Sequence, residues 1–350
     1  MRRPQLLCSL LVTLSLNTWA QAPSVQAAAP EPKTSVEWFL RASERMNLRM
    51  PGSTQFHMKV TFHAFPGIEL LPPKKSEIVT GDGTYEETWL APHTWRREVA
   101  LAGYHAVEVE SEKGRKMQAS SDYEPSRVLM LLNALLAPIP RNFASQEFRH
   151  SGASGWTIDH LTKGDLSLVR ISRGEGGGAG GDLTDAFYFL PHGLLAIRNE
   201  FGLETHWEDD SLFTGKVFAR HITIKAGERE LLNAQVGIEN AGRTDPGAFD
   251  LPGDFAEPGM TLRPLQAFEV KMPDLSFSHS WVKPGYDTGK SVYSLREVLD
   301  RHGRYRESEV ILLINAGDLE TLMDLLRQDR YHAAEIDGSP CQIIFQIGGT

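Results

Sequence analysis

Cysteine is scarce, with two in 350 residues. Cys8 lies inside an amino-terminal apolar run that reads as a signal-peptide core and is expected to leave with it. It is not a lipoprotein cysteine, which would stand at the cleavage point after that core. Cys341 is then alone, so no internal disulfide can form and stability must come from ordinary core burial. Long apolar runs are lacking too. Residues 6–16 are too short to span a bilayer comfortably, and residues 128–137 suit a buried helix better than a span. Positive charge is in deficit: 36 Lys and Arg stand against 45 Asp and Glu, a formal net charge of −9. That balance argues against general nucleic-acid binding, which needs a basic face. There is no Gly-x-Ser-x-Gly elbow and no His-Glu-x-x-His. The glycine-rich segment 174–181 lacks the Gly-Lys-Ser/Thr ending of a phosphate loop and reads as a hairpin loop. No catalytic residue, metal site or cofactor is expected.

What is present first is an export signal. Arg2 and Arg3 form a positive n-region ahead of the apolar core. Small residues allow cleavage after Ala20 or after Ala22; Pro23 disfavours the second, so the mature chain is expected to begin near Gln21. The expected location is the periplasm or the outer-membrane surface. Residues 21–33, rich in Ala and Pro, read as a flexible leader.

Thr34 and Glu37 have capping-box spacing. Val36, Phe39, Leu40, Ser43 and Met46 share one face, predicting a helix to about Asn47. A long strand-rich region follows. Phe56, Met58, Val60 and Phe62 alternate with His57, Lys59, Thr61 and His63, the period of a half-buried strand. Asp82-Gly83 reads as a turn between strands at 77–79 and 85–89. Further strands are expected at 95–99 and 105–109, with a turn at 112–115. Pro125 can open a helix. Val128, Leu129, Leu131, Leu132, Leu135 and Leu136 make that helix apolar on most sides, and Pro138 and Pro140 stop it. Such a helix must be covered, and the concave face of a sheet is the available cover. Strands resume at 156–159 and 167–171, with hairpins over 185–198 and 216–238. Antiparallel strands joined by short turns imply one large curved sheet. Residues 246–274 carry five prolines and read as a linker or wrapping segment.

Polar clusters offer no site. His57, His63, His105, His160, His206 and His221 stand singly on strands and are expected to be solvated. Residues 206–210 (His-Trp-Glu-Asp-Asp) read as a solvated turn at a strand end. Glu86 and Glu87 fall on opposite faces of a strand and cannot work together.

The carboxy-terminal residues carry a more specific pattern. Strands at 291–300 and 304–314 flank a His302-Gly303 turn. An amphipathic helix over 318–328 and a final apolar strand from Cys341 to Ile347 complete a β-β-α-β order. With Tyr331, Ala334, Gly338, Pro340 and Ile343-Ile344-Phe345, this resembles the TonB carboxy-terminal domain, although Ala333 stands where that family usually has proline. The resemblance covers about a fifth of the chain. It implies docking to an outer-membrane or periplasmic protein by strand addition, with Cys341, Ile343 and Phe345 on the partner-binding strand. True TonB also has a retained membrane helix and a long proline-lysine spacer, which this chain lacks, so passive docking is the role implied.

The larger region resembles outer-membrane lipoprotein carriers of the LolA and LolB type. The resemblance rests on element order, on Trp89-x-x-Pro92 and on Trp95-Arg96-Arg97-Glu98. It implies an unclosed β-barrel with a plugging helix and a concave face that holds an apolar ligand or lipid. The expected wall is Phe56, Met58, Val60, Phe62, Phe187 and Phe189, covered by the helix of Leu132. The fold expected is therefore α+β: a large antiparallel curved sheet with a plugging helix, then a small TonB-like domain. The boundaries are 1–20 for the signal, 21–33 for the leader, 34–245 for the large domain, 246–284 for the linker and 285–350 for the tail. The function expected is that of a non-enzymatic carrier docking through its tail. Alternatives are a TonB-family transport component without its own anchor, a structural envelope protein that pairs as a homodimer, and a hydrolase with an unmarked site.

Overall fold

The computed structural model describes residues 30–67, 78–139, 156–163, 166–173, 183–189, 193–199, 203–251, 292–314, 332–336 and 339–349. Helix α1 spans Ser35–Met46 and α2 spans Ser126–Leu136. The large sheet begins with β1 Phe56–Ala64, β2 Gly81–Ala91, β3 Thr94–Leu101, β4 Tyr104–Ser111 and β5 Gly114–Ala119. It resumes after α2 with β6 Trp156–Lys163, β7 Leu166–Arg173, β8 Leu183–Phe189, β9 Gly193–Asn199, β10 Leu203–Phe213, β11 Lys216–Ala226 and β12 Arg229–Asn240. The tail adds β13 Val292–Leu299, β14 Tyr305–Ile314, β15 Ala334–Ile336, β16 Ser339–Cys341 and β17 Ile343–Gly349. No described helix is long and apolar enough to cross a membrane. Lys33–Thr350 form one compact unit.

The first twelve strands form a single antiparallel sheet in the order β5-β4-β3-β2-β1-β12-β11-β10-β9-β8-β7-β6. Two meanders, β1 to β5 and β6 to β12, are joined where β1 pairs with β12. The sheet does not close, because β5 and β6 end the order unpaired with each other. This is the expected α+β architecture, with the large antiparallel sheet that the alternation implies left unclosed. In β1, Phe56, Met58, Val60, Phe62 and Ala64 are buried while Lys59, Thr61 and His63 are exposed. The inward residues pack into one core with both helices. Phe56 stacks on Trp89 at 5.7 Å between ring centres. On α1, Trp38 meets Tyr188 at 5.7 Å and Phe39 meets Trp156 at 5.5 Å. The capping box of α1 forms as its spacing predicts: Thr34 Oγ1 accepts from the Glu37 amide at 3.2 Å, and the Glu37 carboxylate accepts from the Thr34 amide at 3.3 Å. On α2, Pro125 stands one place earlier than expected, as the residue before the first turn.

Two turn expectations are corrected. Asp82-Gly83 is inside β2, opposite His63 and Phe62. Its glycine serves close packing: a Cβ there would stand 2.7 Å from Phe62 Cε1 and 2.7 Å from the Ala100 carbonyl oxygen. Gly83→Ala should therefore destabilise the fold by about 1–3 kcal/mol, since the backbone oxygen cannot retreat as a side chain could. A thermal or urea melt checks this. Residues 206–210 likewise lie inside β10, with Trp207 buried, Glu208, Asp209 and Asp210 exposed, and Asp209 at φ 57° while the register with β11 runs on unshifted from Glu208–His221 to Asp210–Ala219.

The strand histidines meet acids that sequence spacing cannot reveal, because register brings them together. His63 Nδ1 lies 2.6 Å from Asp82 and His105 Nε2 2.9 Å from Glu98. His57 lies within 3.7 Å of both Glu86 and Glu239, whereas His206 Nε2 is 2.9 Å from Glu204 on its own strand, two residues away. These pairs lie on exposed or half-buried strand positions, and cross-strand pairs of this kind contribute about 0.2–1 kcal/mol each.

In the tail, β13, β14 and β17 form a sheet in the order β14-β13-β17, and β15 pairs with β16. The expected strands are there. The expected helix over 318–328 lies outside the described residues, and the final strand is divided, with Cys341 ending β16 before β17 begins. Asp300 builds the β13–β14 turn: its carboxylate accepts from the His302 and Arg304 amides at 2.8 and 3.0 Å, and Gly303 takes φ 69°. Of the linker, Phe249 and Leu251 pack on Val107 and Val109 of β4. Residues 174–182 and 252–291 lie outside the described residues.

Candidate functional site

The concave face of the sheet is the natural place for a site, and α2 occupies it. Val128, Leu131 and Leu132 are fully buried, Met130 and Ala134 nearly so, and Leu129, Leu135 and Leu136 are half-buried. The wall residues Phe56, Met58, Val60 and Phe62 belong to the same core as Leu131 and Leu132. Phe187 does not join them. It is half-buried and pairs with Arg170, while its neighbours Ala186 and Tyr188 face the core. Phe189 is on β8 opposite Leu168, and its side chain is outside the described residues. An open depression of about 640 Å³ lies over β1, β2, β3 and β12, lined among others by Thr61, His63, Asp82 and Gln235. Of the expected wall, Phe62 alone borders it.

Polar groups hold α2 at both ends. At its carboxy-terminal end, Trp207 Nε1 donates to the Ala134 carbonyl at 3.1 Å and Arg49 Nη1 to the Leu135 carbonyl at 3.2 Å. These carbonyls belong to the last turn, which has no intrahelical partners. At the amino-terminal end the tail takes over. Arg127, with no exposed surface, donates from both terminal nitrogens to Glu309 at 3.0 and 2.8 Å and from Nε to the Phe65 carbonyl at 3.1 Å. The Ser126 amide donates to Glu307 at 3.1 Å, and Arg306 reaches Asp122 at 2.7 Å. Burial pushes the Glu307 carboxyl up to about 7, against the pull of its bond from Ser126. The Gln342 amide bonds both backbone groups of Glu124.

A row of charges, unexpected from the sequence, crosses the concave face of β2, β3 and β4. Glu87 is fully buried and accepts from Arg49 Nε at 2.9 Å, Arg97 Nε at 3.0 Å and Tyr85 Oη at 3.1 Å. Burial works against its charge, but the guanidiniums of Arg49 and Arg97 prevail and draw its pKa down to about 2. Burial and the Glu87 charge push the Tyr85 phenol well above its ordinary range. Arg97 pairs across the strand with Glu108 and lies 4.1 Å over the Trp95 ring. Glu108, also fully buried, accepts from Arg115 on β5. A signal for this row exists in Tyr85-x-Glu87-x-Trp89 and Trp95-x-Arg97-x-Val99, where a charge stands in phase with apolar residues. Glu86 and Glu87 do fall on opposite faces, the first exposed and the second buried. Among the described residues no cluster of His, Cys, Asp and Glu could hold a metal ion.

In the tail, Cys341 is fully buried and Ile343 nearly so. Cys341 pairs with Ala334, and Ile343 and Phe345 pair with Leu299 and Glu297 of β13. Burial raises the Cys341 thiol to about 11, which makes it unreactive. The Phe345 side chain is outside the described residues.

No family model and no curated protein matches the chain. Among solved structures it is similar to a LolA-superfamily protein from Nitrosomonas europaea, at 8% identity and a TM-score of 0.30, over 63% of this chain and 99% of that one. It is also similar to a DUF1329 family protein from Desulfovibrio piger, at 7% identity and a TM-score of 0.32, over 61% of this chain and 97% of that one. Neither likeness supports the TonB reading of the tail. At these scores neither decides function, which has to be read from the residues.

Proposed function

We propose that the chain is an exported carrier that holds an apolar ligand, such as a lipid acyl chain, in the half-barrel and performs no chemistry on it. The observation that carries this reading is α2. It is a short helix, apolar around most of its surface, lying on an apolar sheet face and held at each end by side-chain bonds. A ligand with an apolar chain can replace the surface that α2 offers to Phe56, Met58, Val60 and Phe62. The clamps at Ala134, Leu135, Ser126 and Arg127 then define how far the helix swings. Release at one end leaves it tethered at the other. Export is supported by the Arg2-Arg3 n-region and the apolar core that follows it. Docking through the tail, by strand addition at β14 or β17, belongs to the same reading and rests on the order β14-β13-β17, in which these two strands are the edges among the described residues.

The test is a fluorescent fatty-acyl probe titrated into the full chain. Saturable binding is expected, and Leu132→Glu should abolish it by placing a carboxylate where the chain lies. The variant's melt is recorded alongside. An unfolded Leu132→Glu protein identifies α2 as plain core, and no saturable binding to the folded wild type ends the carrier reading.

A further inference from the structure

The two ends of α2 are held in different ways. At the carboxy-terminal end the donors Trp207 and Arg49 belong to the large domain. Trp207 is part of its core, and Arg49 is bound in turn to Glu87. At the amino-terminal end the tail supplies the contacts along residues 122–127. Arg306 bonds Asp122, and Gln342 bonds the amide and the carbonyl of Glu124. Glu307 accepts from the Ser126 amide and Glu309 from Arg127. All of these are hydrogen bonds or ion pairs. Each group can turn to water when the surfaces part, so hydration offsets much of what opening loses.

Two atoms at this contact favour opening. Glu124 Oε1 and Glu307 Oε1 are buried and have no hydrogen-bond partner among the described residues. Glu124 and Glu307 are 4% and 2% exposed, so both oxygens are shut off from solvent while the contact is closed. A buried acceptor without a donor costs free energy that exposure to water removes. At the other end of the helix, neither Trp207 nor Arg49 has such an atom.

We propose that the tail is a latch on α2: β14 and Gln342 release residues 122–127 first, and the helix then swings off the concave face about its end at Trp207 and Arg49. This rests on the carrier reading and assigns the end of the helix that opens to admit the ligand.

Glu307 makes the latch sensitive to pH. Burial is the largest influence on its carboxyl. It outweighs the Ser126 amide and the charge of Arg127 and, with Glu309 on the same strand adding to it, raises the carboxyl from 4.5 to about 7. Opposite it on β13 stands Val298, which carries no charge. With the latch open, Glu307 meets water and returns to its ordinary value. The closed latch then keeps a proton that the open one has lost. Closure is favoured fully below about pH 4.5 and weakens as pH rises to about 7.

The test is hydrogen exchange on the full chain, comparing α2 with β1 from pH 6 to pH 8. Exchange at residues 129–132, corrected for its intrinsic pH dependence, should be faster than at residues 58–62. It should rise about tenfold over that range, the linkage for a carboxyl that titrates near 4.5 when open and near 7 when closed. Glu307→Gln keeps an acceptor for the Ser126 amide and cannot ionise, so the rise should vanish. Asp122→Asn alters a partly exposed ion pair and leaves the core intact; it should speed exchange in α2 several-fold at every pH. Uptake of an uncharged fluorescent acyl probe should follow the same order. Exchange in α2 no faster than in β1, or unaltered by Asp122→Asn, overturns the latch, and the carrier stands if the probe still binds. A rise that persists in Glu307→Gln overturns the part given to Glu307. Exchange as expected with no saturable probe binding supports the latch and overturns the carrier alone.

Discussion

Arg127→Met lowers the unfolding free energy by about 3–5 kcal/mol, the range for breaking a buried ion pair by removing one partner. The reason is geometric. Arg127 has no exposed surface, and its guanidinium is the cation that donates to Glu309 and a positive charge beside Glu307. Without it, Glu309 loses both guanidinium bonds in a buried position, and the Phe65 carbonyl loses a donor. Methionine keeps the length of the stem, so the loss reports charge and hydrogen bonds more than packing. Replacing both partners, Arg127→Met with Glu309→Leu, should recover most of the stability, because a buried pair exchanged for apolar residues is close to neutral. Urea unfolding midpoints of the three proteins check this. A double variant as unstable as the single one would show that the contact is not an independent pair.

Glu87→Gln has a comparable effect and adds a signature in pH. The substitution leaves Arg49 and Arg97 facing each other without the anion between them, at a cost of about 3–5 kcal/mol. In the wild type, Glu87 falls from its ordinary value of 4.5 to about 2 in the folded chain. A depressed folded pKa means that the unfolded chain takes up its proton first as pH falls. The contribution of Glu87 is thus complete above about 4.5 and is lost between there and about 2. By linkage it amounts to about 3 kcal/mol. Stability measured from neutral pH to pH 2 should decline more steeply in the wild type than in Glu87→Gln. Parallel curves would show that the pair does not set the acid limit.

The sequence shows the strands well and the site poorly, for physical reasons. Alternation of apolar and polar residues is a local signal, so β1, the paired strands 185–198 and the capped helix at Thr34 could be read directly. Asp82-Gly83 misled because glycine serves both turns and close approach, and only the ring of Phe62 distinguishes the two uses. Residues 206–210 read as a turn because a run of acids suggests solvent; the acids are exposed, but the strand continues through them with Trp207 buried. Phe187 reads as a wall residue, but the strand turns Ala186 and Tyr188 toward the core. The charged row and the Arg127–Glu309 pair depend on register and on contacts between residues 182 apart. No spacing along the chain encodes those.

The seam between β1 and β12 has a consequence for how the molecule is made. Each meander forms from neighbouring hairpins, most of which close quickly because their loops are short, those between β1 and β2 and between β7 and β8 being longer. The seam instead joins Ala64 to Leu232 and Phe56 to Asn240, so nearly all of the large sheet must be synthesised before it can form. Until then β1 is an exposed edge with Phe56, Met58, Val60 and Phe62 on one face, a surface prone to pairing with other chains. A chain crossing a membrane unfolded would meet that interval on the far side, and its slow step would be the meeting of its first and last strands.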